Sequence, residues 1–349
     1  MAKRVLAAMS DGVDSSVTAL LLKEKGYEVH GVTFNNLRHP VFRLSIKNSP
    51  EITASEVCSV IGISHESVDI SDYFFENVVQ YFVDEYICGR TPNPCVKCNY
   101  LIKFGYLMAL AEKLGCEYLA TGHYALINEG KLYRGTDSTK DQSYFLYSIY
   151  GRNIERILFP LGNYTKQQVR AIATRNNLPN ATKEESQDIC FVKNGEYGNL
   201  VKEITGGKKF ESGPIVDCKG QKIGKHNGIA MYTIGQRKGL GALGKPMFVK
   251  EIRPDTNTIV AATDGELYQK VIEVTDIIKG PYMLSEKEEY RIQVRYRSQP
   301  VVGRIEFNGE NSMKIIFSEV IRAIAPGQSA VIYKDSMVIA GGIISKTFD

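Results

Sequence analysis

No run in this sequence approaches the ~20 consecutive apolar residues that a membrane-spanning helix needs, which excludes an integral membrane protein of that kind. The chain enters an apolar, strand-like run at Val5, so neither a signal nor a transit peptide is expected, and the protein is expected to be cytoplasmic. No Gly-Lys-Ser/Thr closes a glycine-rich loop, which excludes a Walker A site. Cys95-x-x-Cys98 has no second Cys-x-x-Cys and no zinc-spaced His pair to complete it, so no metal site is expected. Internal repeats and low-complexity tracts are absent. Charge of one sign is scarce as well: a net +4 over 349 residues permits a nucleic-acid partner without demanding one, so any basic surface must be argued locally.

What is present is ordinary globular material. With 43% hydrophobic and 23% charged residues the chain can bury real cores, and its length suits two or three domains. The seven cysteines are an odd number, and Cys pairs in a cytosolic chain of this size point to chemistry or metal more than to a disulfide framework.

The first half alternates strand and helix. Val5 to Met9, Glu28 to Phe34, Glu66 to Ile70 and Glu117 to Thr121 read as strands. Val17 to Lys25, Ile52 to Ile61, Asp72 to Tyr86 and Asn99 to Leu114 read as helices, and Arg38 to Pro50 as irregular. A further helix, Lys166 to Asn176, opens with a capping box from Thr165 and Gln168. This pattern predicts an α/β domain with a parallel sheet covered on both faces. After about Gly206 glycines increase and strands shorten. Asn308-Gly309 between Val301–Phe307 and Met313–Phe317 signals a hairpin. A small β-rich module and then a C-terminal β-barrel are expected.

Between the first strand and its helix lies Ser10-Asp11-Gly12-Val13-Asp14-Ser15-Ser16. A short hydroxyl-rich loop at a helix N-terminus offers free backbone N–H groups and the positive end of the helix dipole, which suits a phosphate. The same residues also suit an ordinary capped turn. In the second conspicuous loop, Arg90 to Asn99, two prolines stiffen a Cys-x-x-Cys just ahead of a helix. The dipole with Arg90, Lys97 and Lys103 should favour a Cys98 thiolate. Cys190, between Ile189 and Phe191, reads more naturally as core than as a reagent. Arg291, Gln293, Arg295 and Arg297 alternate, so a strand there would present three cations on one face, for phosphates or simply for solvent. Arg237 and Lys238 among glycines suit a backbone-phosphate contact or a mobile loop.

The Ser10 loop resembles the Ser-Gly-Gly-x-Asp-Ser loop of the ATP pyrophosphatases (PP-loop enzymes), with Asp11 in place of the first glycine. Glycine there would allow positive φ and close approach to phosphate; aspartate tolerates positive φ but adds a carboxylate. The order of further motifs is more specific. Thr91 to Asn99 with Ile102-Lys103-Phe104, Ala120 to Tyr124, Lys140 to Leu146, Ile189-Cys190-Phe191, Tyr232 to Gly241 and Pro326-Gly327-Gln328 together resemble the tRNA-specific 2-thiouridylase family over nearly the whole chain. A second departure is Asn35 to Pro50, which lacks an acidic, cysteine-containing segment associated with many members.

The resemblance implies a PP-loop nucleotide-binding domain over 1–205, a tRNA-contacting β-rich module over 206–269 and a β-barrel over 270–349. It implies ATP-dependent adenylation of the C2 oxygen of the wobble uridine, position 34 of tRNA, followed by replacement of that oxygen with sulfur. By resemblance Cys190 carries sulfur as a persulfide, and Cys98 attacks it, releasing sulfide and closing a disulfide with Cys190. ATP, with Mg²⁺, would lie against Ala8, Met9, Ser10, Asp11, Gly12, Val13, Asp14 and Ser15, with Phe34 and Gly122 lining the pocket. tRNA would meet Asn93, Pro94, Cys95, His123, Lys140, Asp141, Gln142, Arg295, Tyr296 and Gln328, its target base flipped out of the stack. Sulfur would come from a persulfide-donating relay protein or a cysteine desulfurase, and no metal cluster is assumed. Two alternatives stay open: a tRNA-binding paralogue whose nucleotide site Asp11 impairs, and a thiolase holding an iron–sulfur cluster on Cys95, Cys98 and Cys190.

Overall fold

A computed structural model describes residues 2–42, 50–184, 189–192, 196–207, 210–241 and 244–348. Residues 185–188, just ahead of Ile189-Cys190-Phe191, and most of the Arg38 to Pro50 stretch lie outside the described residues. The chain forms two compact units, one made of 1–78, 95–187 and 335–339, the other of 79–94, 188–334 and 340–349.

The first unit contains, in chain order, β1 (Arg4–Met9), α1 (Val13–Glu24), β2 (Glu28–Asn35), α2 (Pro50–Ile61), β3 (Ser64–Asp69), β4 (Tyr118–Ala120), the hairpin of β5 (Ala125–Asn128) and β6 (Lys131–Arg134), and β7 (Ile157–Leu158). Val5, Leu6, Ala7 and Met9 are all nearly inaccessible, as a strand covered on both faces requires. Against Val5, Ala7 and Met9, on one face of β1, α1 packs Val13, Val17 and Leu21, whose spacing puts them on one face of the helix. The strands run parallel in the order β3-β2-β1-β4-β7. The order reverses direction between β1 and β4, and the crevice beyond the carboxyl ends of those two strands is where such sheets bind ligands. Both the Ser10 loop and the Gly122-His123 turn open there.

Asn99 to Leu114 was expected to be a helix; the helical run is longer, covering 94–113 with a π-helical stretch at Asn99–Tyr106. It opens on Pro94, because a first-turn proline lacks only an N–H that would have no partner. Cys95 and Cys98 therefore sit inside the helix, not ahead of it.

In the second unit β8 (Gly213–Val216), β9 (Lys222–His226), β10 (Phe248–Arg253) and β11 (Thr258–Ala262) form a sheet of order β10-β11-β8-β9. It covers a core of Ile215, Val249, Ile259 and Ala261. Then β12 (Tyr268–Lys279), β13 (Tyr290–Gln293), β14 (Val301–Phe307), β15 (Ser312–Arg322), β16 (Ser329–Lys334) and β17 (Met337–Phe348) follow in the order β12-β15-β14-β13-β16-β17, and β12 pairs again with β17 to close the barrel. The Asn308-Gly309 hairpin is as expected: Phe307 pairs with Met313, and Gly309 takes φ +122°. The extended strand expected through Arg297 is not. β13 stops at Gln293, whose buried amide donates to the carbonyls of Arg295 (3.0 Å) and Tyr296 (2.7 Å) and curls the chain into a turn. Arg291, Arg295 and Arg297 hence do not share one strand face.

Candidate active site

The Ser10 loop is built from its own hydroxyls. Ser15 Oγ accepts from Ser10 N (3.1 Å) and donates to Gly12 O (2.9 Å), while Ser16 Oγ donates to Gly12 O (3.2 Å). These bonds coil 10–16 back on the first turn of α1, at the end where N–H groups have no helical partner. Gly12 has φ −87°, and neither it nor Asp11 takes a positive φ. The glycine missing at position 11 is therefore not missed for backbone reasons. Gly122 is needed for close approach: a Cβ there would lie 3.0 Å from Asp14 C and Ser15 N, backbone atoms that cannot yield.

Each loop carboxylate has a lysine. Asp14 accepts from Lys166 Nζ at both oxygens (2.7 and 2.8 Å) and from Tyr124 Oη (2.8 Å). Lys166 is buried at 8% exposure, the first residue of the Lys166–Arg175 helix, whose capping box forms as expected. Asp11 pairs with Lys183 at 2.5 Å, and both side chains are about half exposed. Asn180, also buried, donates to Asp11 O (3.1 Å) and Ser16 Oγ (2.9 Å). Motif reading found none of Lys166, Lys183 and Asn180, and saw in Tyr124 only part of a motif.

The next layer continues from the loop. His123 follows Gly122, is buried, and lies between Phe104 and Phe159 with ring centroids 5.9 and 5.7 Å away. Its Nε2 is 3.3 Å from Lys103 Nζ and its Nδ1 is 2.7 Å from Thr121 Oγ1. Lysine can only donate, so Nε2 accepts and Nδ1 carries the proton. Burial, then the Lys103 charge, holds the His123 pKa well below its ordinary value.

Lys103 also faces the cysteines. Burial pushes the Cys98 thiol up to about 11, opposed in part by Lys103 and reinforced by Cys95, and burial raises Cys95 as well. The expected resting thiolate at Cys98 is thus overturned. The helix N-terminus lies at Pro94, a turn before Cys98, and desolvation outweighs the cation. Cys190 departs from the core reading in the other direction. It is exposed, while Phe191 and Val192 beside it are buried and Phe191 packs edge-on against Phe82 at 5.2 Å. No disulfide joins any of the seven cysteines.

The remaining candidates divide by environment. Asp141 is buried and accepts from Arg134 Nη1, Gly135 N, Ser143 N and Ser143 Oγ, and Gln142 Oε1 accepts from Tyr124 N. Both are braces, whereas Lys140 is half-buried. Gln328 Nε2 donates to the carbonyls of Thr91 and Pro92, 3.0 Å each, and so anchors the 91–94 loop. Asn93 is buried with Nδ2 unpartnered. Arg237 and Lys238 are exposed on a loop that is pinned: Tyr232 Oη donates to Gly239 O and Gln236 Nε2 to Lys238 O, both 2.8 Å. Phe34 lies edge-on to Tyr106 at 5.5 Å, one residue beyond Thr33, the partner of Met9. No group of three or more His, Cys, Asp or Glu that could hold a metal ion occurs among the described residues.

The family described as "tRNA methyl transferase HUP domain" matches residues 3–194, "tRNA methyl transferase PRC-barrel domain" residues 200–263 and "Aminomethyltransferase beta-barrel domain" residues 272–344. The chain is 41% identical to a tRNA-specific 2-thiouridylase MnmA of Natranaerobius thermophilus, over 99% of this chain and 98% of that one. It is 42% identical to the proteins of that name from Carboxydothermus hydrogenoformans, over 99% and 98%, and Clostridioides difficile, over 99% and 99%. Among solved structures, the U34-tRNA thiolase NcsA from Methanococcus maripaludis with its [4Fe-4S] cluster is 19% identical, covering 58% of this chain and 66% of that one at a TM-score of 0.37. By its near-full-length identity to these relatives, the chain belongs to the tRNA-specific 2-thiouridylase family.

Proposed function

We propose that this protein uses ATP to replace the C2 oxygen of the wobble uridine, position 34 of tRNA, with sulfur. The near-full-length identity to named 2-thiouridylases carries the reading. The site supports it in three ways. The Ser10 loop at the start of α1 offers hydroxyl and backbone donors for the phosphates of ATP, with Mg²⁺ arriving as the nucleotide's counter-ion. Phe34, beside that loop, offers an apolar wall for the base. Asn93 Nδ2, buried without a partner, is a donor that a uracil carbonyl would satisfy, and leaving it unmet is unfavourable.

The chemistry follows from leaving groups. A urea-like oxygen leaves poorly, and adenylation turns it into part of AMP, which leaves well. Sulfur is carried as a Cys190 persulfide, on an exposed position where a donor protein (a sulfur relay or cysteine desulfurase) can reach it, and Cys98 supplies the second thiol. Lys103, whose charge opposes the effect of burial on Cys98, is the group that favours the thiolate when it is needed. Arg295, Tyr296 and Lys140 contribute to tRNA binding, and the units of sequence 1–205, 206–269 and 270–349 act as catalytic, tRNA-contacting and barrel domains.

The test incubates the protein with ATP, Mg²⁺, a persulfide donor and unmodified tRNA, then digests the tRNA and looks for 2-thiouridine by mass spectrometry. Product that disappears with Cys98→Ser and with Cys190→Ser supports the reading. Bound tRNA with no 2-thiouridine and no AMP released would end it in favour of a binding paralogue.

A further inference from the structure

Asp11 is the loop's least expected residue. Its backbone is unstrained, so its carboxylate needs another explanation. The loop's two acidic residues are paired very differently. Asp14 is gripped by a buried lysine through two bonds and backed by Tyr124. Among the described residues Asp11 has one ion-pair contact, to Lys183, and both partners are about half exposed. Exposed pairs of this kind are weak and easily exchanged, whereas buried bidentate pairs are not.

Lys183 is also delivered accurately. It closes a turn in which Lys183 N donates to Asn180 O (3.1 Å), and Asn180 is bonded to Asp11 O and Ser16 Oγ. Arg170 reaches the carbonyls of Ala181 (3.3 Å) and Lys183 (3.2 Å) from the neighbouring helix. The turn is therefore fixed to the loop at its backbone, while the four-carbon lysine stem stays free to swing.

We propose that Lys183 is a phosphate-binding residue that Asp11 holds at the mouth of the loop until the nucleotide arrives. This inference rests on the ATP reading of the same loop. On binding, the ammonium exchanges the Asp11 carboxylate for phosphate oxygens, a stronger partner because they carry more charge. Asp11 thus keeps the lysine ordered and the empty loop neutral, and in return it opposes nucleotide binding.

The test is a double-mutant cycle on the Kd for MgATP, measured by calorimetry on the full chain at fixed salt: wild type, Asp11→Asn, Lys183→Met and both. Asparagine keeps the carbonyl that Asn180 uses, and both side chains are exposed enough that folding is preserved. Lys183→Met weakens ATP binding about tenfold. Asp11→Asn tightens it about fivefold to tenfold when Lys183 is present, and by no more than about half that factor when Lys183 is Met, because only the first protein must break the pair in order to bind. An Asp11→Asn gain that is equal or larger in the Lys183→Met background means the pair stays closed, and overturns the exchange. An unchanged Kd for Lys183→Met does the same. If none of the four proteins binds MgATP, the nucleotide reading itself fails, an outcome distinct from either.

Discussion

Lys166→Met removes a cation from a place where its carboxylate has few substitutes. Asp14 loses two bonds of 2.7 and 2.8 Å and keeps only Tyr124 Oη at 2.8 Å. Stripping one partner from a fully buried pair typically costs about 3–5 kcal/mol. Here the lysine side chain is 10% exposed but Asp14 is 32% exposed, so water recovers part of the loss. The expected destabilisation is about 1–3 kcal/mol, which for a unit of this size lowers the melting point by about 2–10 °C. Asp14→Asn/Lys166→Met should restore most of it, since no unpaired charge remains. The assay is urea denaturation followed by circular dichroism, for wild type, both single variants and the double. A single variant within about 0.5 kcal/mol of wild type, with an additive double, would refute the claim that this pair holds the loop to the helix.

Three other outcomes are expected. Alkylation of Cys98 by iodoacetamide, followed by peptide mass spectrometry, should rise with pH towards a midpoint of about 11, and Lys103→Met should move that midpoint higher. The folded thiol keeps its proton above the ordinary value of 9.0 where the unfolded one loses it, so the stability due to this group is complete below pH 9.0 and is lost as pH rises towards about 11. His123 has the opposite sign: it stays neutral when folded, so stability should fall as pH drops below the ordinary 6.5, and His123→Gln should flatten that part of a urea midpoint-versus-pH curve. Gly122→Ala places a Cβ 3.0 Å from two backbone atoms of the loop; a loss of about 1–3 kcal/mol in melts, with weaker MgATP binding, should follow.

What the sequence disclosed was local. The strand, loop and helix at Val5 to Lys25, the capping box at Thr165 and the Asn308-Gly309 hairpin each depend on neighbours a few residues apart, and each formed. What it hid depends on distant partners. Lys166 is 152 residues from Asp14, and Lys183 is 172 from Asp11, separations that leave no spacing to recognise. The Cys98 error has the same root: three cations nearby in sequence suggested a thiolate, but burial outweighs them, and burial depends on what packs over the helix. At Arg295 alternation promised a strand, and one buried glutamine turned the chain instead.

The first unit is completed by a segment far along the chain from the rest of it. Residues 335–339 belong to it, with Met337 paired to Tyr133 and Val338 O accepting from Tyr150 Oη, although all of 188–334 lies between. At translation rates of about 5–20 residues per second, the first unit waits on the order of ten seconds after its other parts have emerged before it can be completed. During synthesis the usual order, in which an N-terminal domain finishes first and folds alone, does not apply. A ribosome stalled anywhere before residue 335 carries a first unit that still lacks residues 335–339.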